Sequence, residues 1–219
     1  MDPAKLLSPK PALQKRSEAT LAAIVQATLE LLATKDIEEI AVAEIAHKAG
    51  VAVGTIYRRF ENKEALVAHL LQLVQGKQVA ELEPLLAPER WQGQELEQRV
   101  RWLREQLSGT AGRAPGLLRA IFAHVIIGKD PLADYSREQD RRVLALLTDW
   151  VLEAHPGRPG AGARSAVAIG LATFVHAVYM ALLYPFSYPG QPRERVVEEL
   201  EAGLLAHIAR AWRLGAADQ

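Results

Sequence analysis

Between Glu44 and Glu61 the chain carries no acidic residue. Within that stretch Val53, Gly54, Thr55, Tyr57, Arg58 and Arg59 fall on one exposed side of a short helical segment. These residue types suit a major groove. Arginine can pair bidentately with a guanine edge, while Thr and Tyr can reach phosphates or a thymine methyl. Gly54 has no side chain to hold the backbone away from DNA. The same face would also serve as a solvated basic turn of a helical bundle, and the face alone leaves both readings open.

The elements that must position this face are legible from spacing. Ala46, Gly50 and Ile56 stand at relative positions 0, +4 and +10. Two steeply crossing helices need a small residue at their closest approach, here Ala46. The tight turn between them needs a residue at ease with positive φ, here Gly50. Ile45, Val51, Ile56 and Phe60 point inward and give the pair its anchor. Asn62 reads as the cap of the next helix. Lys63 behind it would place an ammonium beside free backbone N–H groups, a site for one phosphate.

Other chemistries are excluded or unsupported. The chain has no cysteine, which removes disulfides, thiolate nucleophiles, iron–sulfur clusters and Cys-ligated zinc, and makes the cytoplasm the default location. Its six histidines show no metal-ligand spacing, so no metal is expected. Gly157–Gly162 contains Pro159 where a phosphate loop needs N–H donors, and no serine sits in a nucleophile elbow. Neither an enzyme nor a cofactor is expected. Lys plus Arg and Asp plus Glu are both 26, so the formal charge is zero. A polycation is thereby ruled out, but an uneven placement of cations on one face is not.

Helical periodicity runs the length of the 219 residues, with no sustained two-residue alternation. The expected architecture is all-α with about nine helices, near 17–34, 42–49, 53–60, 62–86, 94–108, 115–128, 131–154, 163–184 and 192–213. Residues 165–192 carry no Asp, Glu, Lys or Arg. The run is long enough to span a bilayer, but its Ala content and the polar Thr173 and His176 favour a buried or interface helix, and no membrane partner is expected.

The sequence from Gly50 to Leu66, Gly-Val-Ala-Val-Gly-Thr-Ile-Tyr-Arg-Arg-Phe-Glu-Asn-Lys-Glu-Ala-Leu, resembles the signature of the TetR family, the tetracycline-repressor-type transcriptional regulators. The resemblance covers about Lys15 to Leu71. It implies a homodimeric helix-turn-helix regulator binding a double-stranded, palindromic operator, with a C-terminal domain that takes a small effector. The implied layout is a flexible arm over 1–14, a three-helix DNA-binding domain over 15–62 and an effector-binding and dimerisation domain over 63–219. Carried over by position, DNA contacts fall on Val53, Gly54, Thr55, Tyr57, Arg58, Arg59 and Lys63. Three departures stand out. Ala41 and Ala52 replace helix-capping hydroxyls, and Asp36 occupies the place of a helix-ending glycine, where it would need to tolerate the left-handed region. Lys5, Lys10, Lys15 and Arg16 would make either a basic arm reaching DNA or a disordered terminus.

In the C-terminal two thirds Trp102, Phe122, His124, Trp150, Phe174, His176 and Tyr179 are candidate ligand contacts, although each would serve equally as core. Their apolar character points to a hydrophobic or amphipathic effector. A two-fold dimer is expected through the last two helices, with Ala168, Leu171, Val175, Val178 and Leu182 on the first. Val197, Leu200, Leu204, Ile208 and Ala211 would line the second. The reading from a different class is a helical ligand-binding or enzymatic bundle that retains a non-functional helix-turn-helix.

Overall fold

The computed structural model describes residues 11–127, 131–154 and 162–216. Among them it has ten α-helices and no strand. In order these are α1 (Pro11–Leu32), α2 (Val42–Lys48), α3 (Val53–Tyr57), α4 (Lys63–Leu82), α5 (Pro88–Trp91), α6 (Leu96–Arg113), α7 (Pro115–Ile127), α8 (Pro131–Glu153), α9 (Ala163–Leu183) and α10 (Arg193–Ala216). The expected all-α architecture holds. One helix was missed: α5 is a single turn started by Pro88, where a fixed φ suits the first helical position. Helix α6 runs through Gly109 and Gly112, past the expected end near 108, and stops only before Pro115. Helix α1 already includes residues 11–14 of the expected arm. Lys5 and Lys10 lie outside the described residues.

The chain divides into two compact units. The first comprises the described residues up to Leu70 together with Ala114–Ala120. It therefore ends beyond the expected boundary at 62 and recruits a distant segment of chain. Ile24, Leu32, Ile40, Ile45, Ile56, Leu66 and Leu70 are fully enclosed. Burying each such side chain contributes about 1.5–3 kcal/mol. The start of α7 belongs to this unit because α1's end leaves no room for anything but glycine there. A Cβ on Gly116 would stand 2.0 Å from the Lys35 carbonyl oxygen and 2.9 Å from that of Leu32. One turn later the Arg119 Nε pairs with the Asp36 carboxylate. Asp36 itself is not in the left-handed region: its φ is −80° and ψ 155°, and it starts the 3₁₀ turn Ile37–Glu39. Its N–H donates to Glu39 Oε2 at 2.9 Å.

The second unit comprises Leu71–Arg113 and the described residues from Ile121 onward. Helix α9 is its central element, packed on α6, α8 and α10. It is long and apolar enough to cross a membrane by length and composition. Here its inner face, with Val167, Leu171, Phe174 and Val178, is the core. At Gly170 a Cβ would meet the His207 ring at 2.6 Å, which is how α10 comes close enough for His207 Nε2 to lie 2.8 Å from the Ala166 carbonyl oxygen.

This packing corrects the expected dimer face. Leu171, Val178, Val197, Leu204, Ile208 and Ala211 are buried inside the protomer. Helical spacing cannot tell an apolar stripe that meets its own core from one that meets a partner. Ala168, Val175, Leu182 and Leu200 are half-buried beside it. The outward side of α9 is instead Ile169 (63% exposed), Thr173 and His176, and that of α10 includes Ala202, Gly203 and Ala206.

Candidate nucleic-acid interface

Helices α2 and α3 hold together through Ile45, Ala46, Ile56 and Phe60, all buried. Gly50 adopts φ +67°, and the turn closes with Val51 N–H donating to the Ala46 carbonyl at 3.0 Å. Neither short helix has a side-chain cap, since Ala41 and Ala52 stand at both N-cap positions. Each missing cap costs about 1 kcal/mol relative to Ser, Thr, Asp or Asn. Glu44, freed from a capping role, pairs with Lys35 at 2.6 Å.

What α3 leaves outward is an apolar and aromatic rim with one guanidinium. Val53 and Tyr57 are 39% and 52% exposed. A Cβ on Gly54 would meet nothing within 4 Å, so the backbone there is open to an approaching ligand. Arg58 is exposed, and its Nη2 donates to Thr55 Oγ1 at 3.2 Å. That bond pre-orients the guanidinium over the same face.

Two cations expected on DNA have partners within the protein. Arg59 turns back onto α1, where its Nη2 donates to both the carbonyl and the hydroxyl of Ser17, each at 2.8 Å. Lys63 gives its ammonium to the carbonyls of Ile37 at 2.9 Å and Ile40 at 3.2 Å. They lie at the end of the 3₁₀ turn, where the Ile37 carbonyl also accepts from the Ile40 N–H at 3.3 Å, and a cation there adds a charge-assisted partner. The cap role of Asn62 does hold, with Ala65 N–H donating to Asn62 Oδ1 at 2.8 Å. Sequence patterning placed Lys63 behind that cap but could not show the carbonyls that face it.

The candidate ligand residues separate into two groups within the second unit. Trp102 and Trp150 join Trp91 in a triangle of edge-to-face rings, with centroids 4.9–5.5 Å apart. Arg99, almost fully buried, lies over the Trp91 and Trp150 rings at 5.9 and 5.6 Å. It donates to the carbonyls of Trp150 (2.5 Å) and Trp91 (3.3 Å), closing the ends of α8 and α5 together. Burial pushes its pKa down, and the Glu153 carboxylate opposes that. Phe174 is core beside this group. The second group is Phe122, with its ring 5.6 Å from that of His176 and 5.5 Å from that of Tyr179. Burial, reinforced by the Asp140 carboxylate, raises the Tyr179 phenol to about 12. The His124 side chain lies outside what the structure describes.

Sequence reading missed Arg99, Trp91 and Asp140. Arg99 was findable, because it shares the 99, 103, 107 spacing of the buried Leu103 and Leu107. Asp140, inside the charged run Arg137–Arg142, gave no such signal.

A short helix pair around a glycine turn, seated on a third helix, is a helix-turn-helix arrangement. Residues 24–70 match the family model of the bacterial regulatory proteins of the tetR family. Over those residues the chain is similar to the N-terminal domain of that family, whose members are DNA-binding transcriptional regulators. No curated protein matches the sequence. Among solved structures, a TetR transcriptional regulator from Rhodococcus sp. RHA1 is 18% identical, with a TM-score of 0.54 over 89% of this chain and 97% of that one. A Pseudomonas aeruginosa PAO1 chain, solved as a candidate transcriptional regulator, is 23% identical, with a TM-score of 0.57 over 89% and 93%. NalD of Pseudomonas aeruginosa, the secondary repressor of the MexAB-OprM multidrug efflux pump, is 22% identical, with a TM-score of 0.50 over 86% and 97%. At these identities the likeness is one of fold.

Proposed function

We propose that the chain is a ligand-responsive repressor which binds a palindromic operator as a homodimer and leaves it when a hydrophobic or amphipathic small molecule occupies the second unit. The observation that carries the DNA half of this reading is the outward face of α3. Val53, Gly54, Thr55, Tyr57 and Arg58 stand together on a fully packed base, with no carboxylate among them. Base readout rests on Arg58, with Thr55 and Tyr57 for phosphate or methyl contacts. Arg59 and Lys63 fix the geometry of the face. This narrows the contrast with a bundle whose helix-turn-helix is non-functional, because Arg58, directly after α3, is left as the arginine facing outward there.

For the dimer, Ile169 and Thr173 on α9 with Ala202, Gly203 and Ala206 on α10 make an apolar, small-residue strip that suits close helix approach. For the switch, α4 and α7 each contribute residues to both compact units, so a displacement within the second unit has two continuous helices along which to act. The role of NalD in repressing an efflux pump is consistent with a small-molecule effector. Selection of genomic fragments by the purified protein, followed by gel shift on the recovered site, tests the reading. A two-fold symmetric site bound at nanomolar concentration is expected. Failure to enrich any sequence over bulk DNA would overturn it.

A further inference from the structure

The outward face of α3 divides by chemistry. Val53 and Tyr57 stand one turn apart, at i and i+4, and so lie side by side on it. Both are large apolar side chains left exposed. The other part is polar: just after α3, Arg58 Nη2 donates to Thr55 Oγ1 at 3.2 Å, so this hydroxyl serves to aim the guanidinium. Gly54 adds no side chain between the two parts. The neighbouring cations are committed within the protein. Lys48 pairs with Glu30 at 2.9 Å, Arg59 bonds Ser17, and Lys63 bonds the carbonyls of Ile37 and Ile40.

The pattern of groups on base edges narrows what such a face can read. In the major groove adenine is read by Asn or Gln and cytosine by Asp or Glu. None of these four residue types occurs between Ile45 and Phe60. Guanine is open to Arg58. Thymine presents a C5-methyl, an apolar group that an exposed isopropyl beside an exposed ring gains by covering. We propose that Val53 and Tyr57 read thymine through its C5-methyl, so that each half-site joins a thymine contact to the guanine taken by Arg58. This rests on the operator reading above and adds the base that the apolar part of α3 selects. It also gives binding a component that salt does not weaken, because covering a methyl releases no counterions.

The test uses the operator recovered by genomic selection, resynthesised with deoxyuridine in place of each thymidine in turn. That change deletes one methyl and keeps the base pair. In gel shifts with the full-length protein, deoxyuridine at a contacted position within each half-site is expected to weaken binding about fourfold per methyl. Outside the half-sites it is expected to change nothing. Replacing both Val53 and Tyr57 with Ala should bring the thymidine-to-deoxyuridine affinity ratio close to one. Tyr57→Phe, which keeps the ring, and Arg58→Ala should both leave that ratio as it was. Thermal melts confirm that the variants fold, and the base comparison on the unsubstituted protein stands without them. An operator bound equally well with every thymidine replaced would overturn this inference and leave the regulator standing. A ratio unchanged in the Val53→Ala, Tyr57→Ala protein, or abolished by Tyr57→Phe, would do the same. Failure to enrich any sequence overturns the regulator reading and this inference with it.

Discussion

Arg59 and Ser17 join the turn after α3 to α1: one guanidinium nitrogen bonds both the backbone carbonyl and the hydroxyl of Ser17, at 2.8 Å each. The pair is exposed, so its removal costs little stability, on the order of 1 kcal/mol. Its effect is on the aim of α3. Arg59→Ala is expected to weaken all operator variants by a similar factor, whereas Arg58→Ala relaxes preference at one base pair by about 1–3 kcal/mol. Competition binding across a set of single-base operator variants separates the two. A specificity change in Arg59→Ala with none in Arg58→Ala would reverse the assignment.

Lys63→Met should lower the melting temperature. It leaves the carbonyls of Ile37 and Ile40 without their cation, a loss of about 1.5–3 kcal/mol for charge-assisted hydrogen bonds. The dependence of log affinity on log salt should keep its slope. A slope shallower by about one unit per half-site would show that the ammonium neutralises a phosphate after all.

Glycines 54 and 116 make a matched pair of tests. Gly116→Ala drives a methyl into backbone, 2.0 Å from the Lys35 oxygen, and is expected to destabilise the first unit by at least 1–3 kcal/mol. Gly54→Ala meets nothing in the protein and should melt no lower, yet lose operator affinity because the methyl stands where DNA must approach. Melting curves and gel shifts on both variants check this. An intact melt for Gly116→Ala would mean that α7 is not held against α1 as described.

Burial raises the Asp140 carboxyl above its ordinary 3.8, so the folded state holds this proton more tightly than the unfolded chain. Folding is therefore favoured by protonation, and this residue's contribution to stability falls as pH rises from 3.8 through the folded pKa. Replacing it with Asn should remove that dependence and raise the melting temperature at neutral pH. Difference curves of melting temperature against pH for the two proteins measure it. A melting temperature lowered by the substitution at pH 7 would show that the charge is satisfied.

Much of the site was legible because its signals are local. Ala46, Gly50 and Ile56 obey a spacing set by two crossing helices, and Asn62 caps the helix it precedes. For Lys63 and Arg59 sequence could not show the intramolecular partners, at residues 37–40 and at Ser17, because only the tertiary fold brings them near. The same limit explains the dimer face: Leu171 and Ile208 carry periodicity, but periodicity does not say what lies opposite. Asp36 was read as standing in the place of a helix-ending glycine, while its actual neighbour, Arg119, is far along the chain and could not be paired with it from sequence.

That the first unit draws on Ala114–Ala120 has a consequence for how such a head can be exchanged. A graft joined at a single point after α4's first turns would leave the end of α1 uncovered, and the Asp36 carboxylate without Arg119. Recombination that swaps operator specificity between proteins of this build must therefore carry two stretches of chain or keep a compatible α7. The outward face of α3 can change residue by residue far more freely than the head can be moved whole.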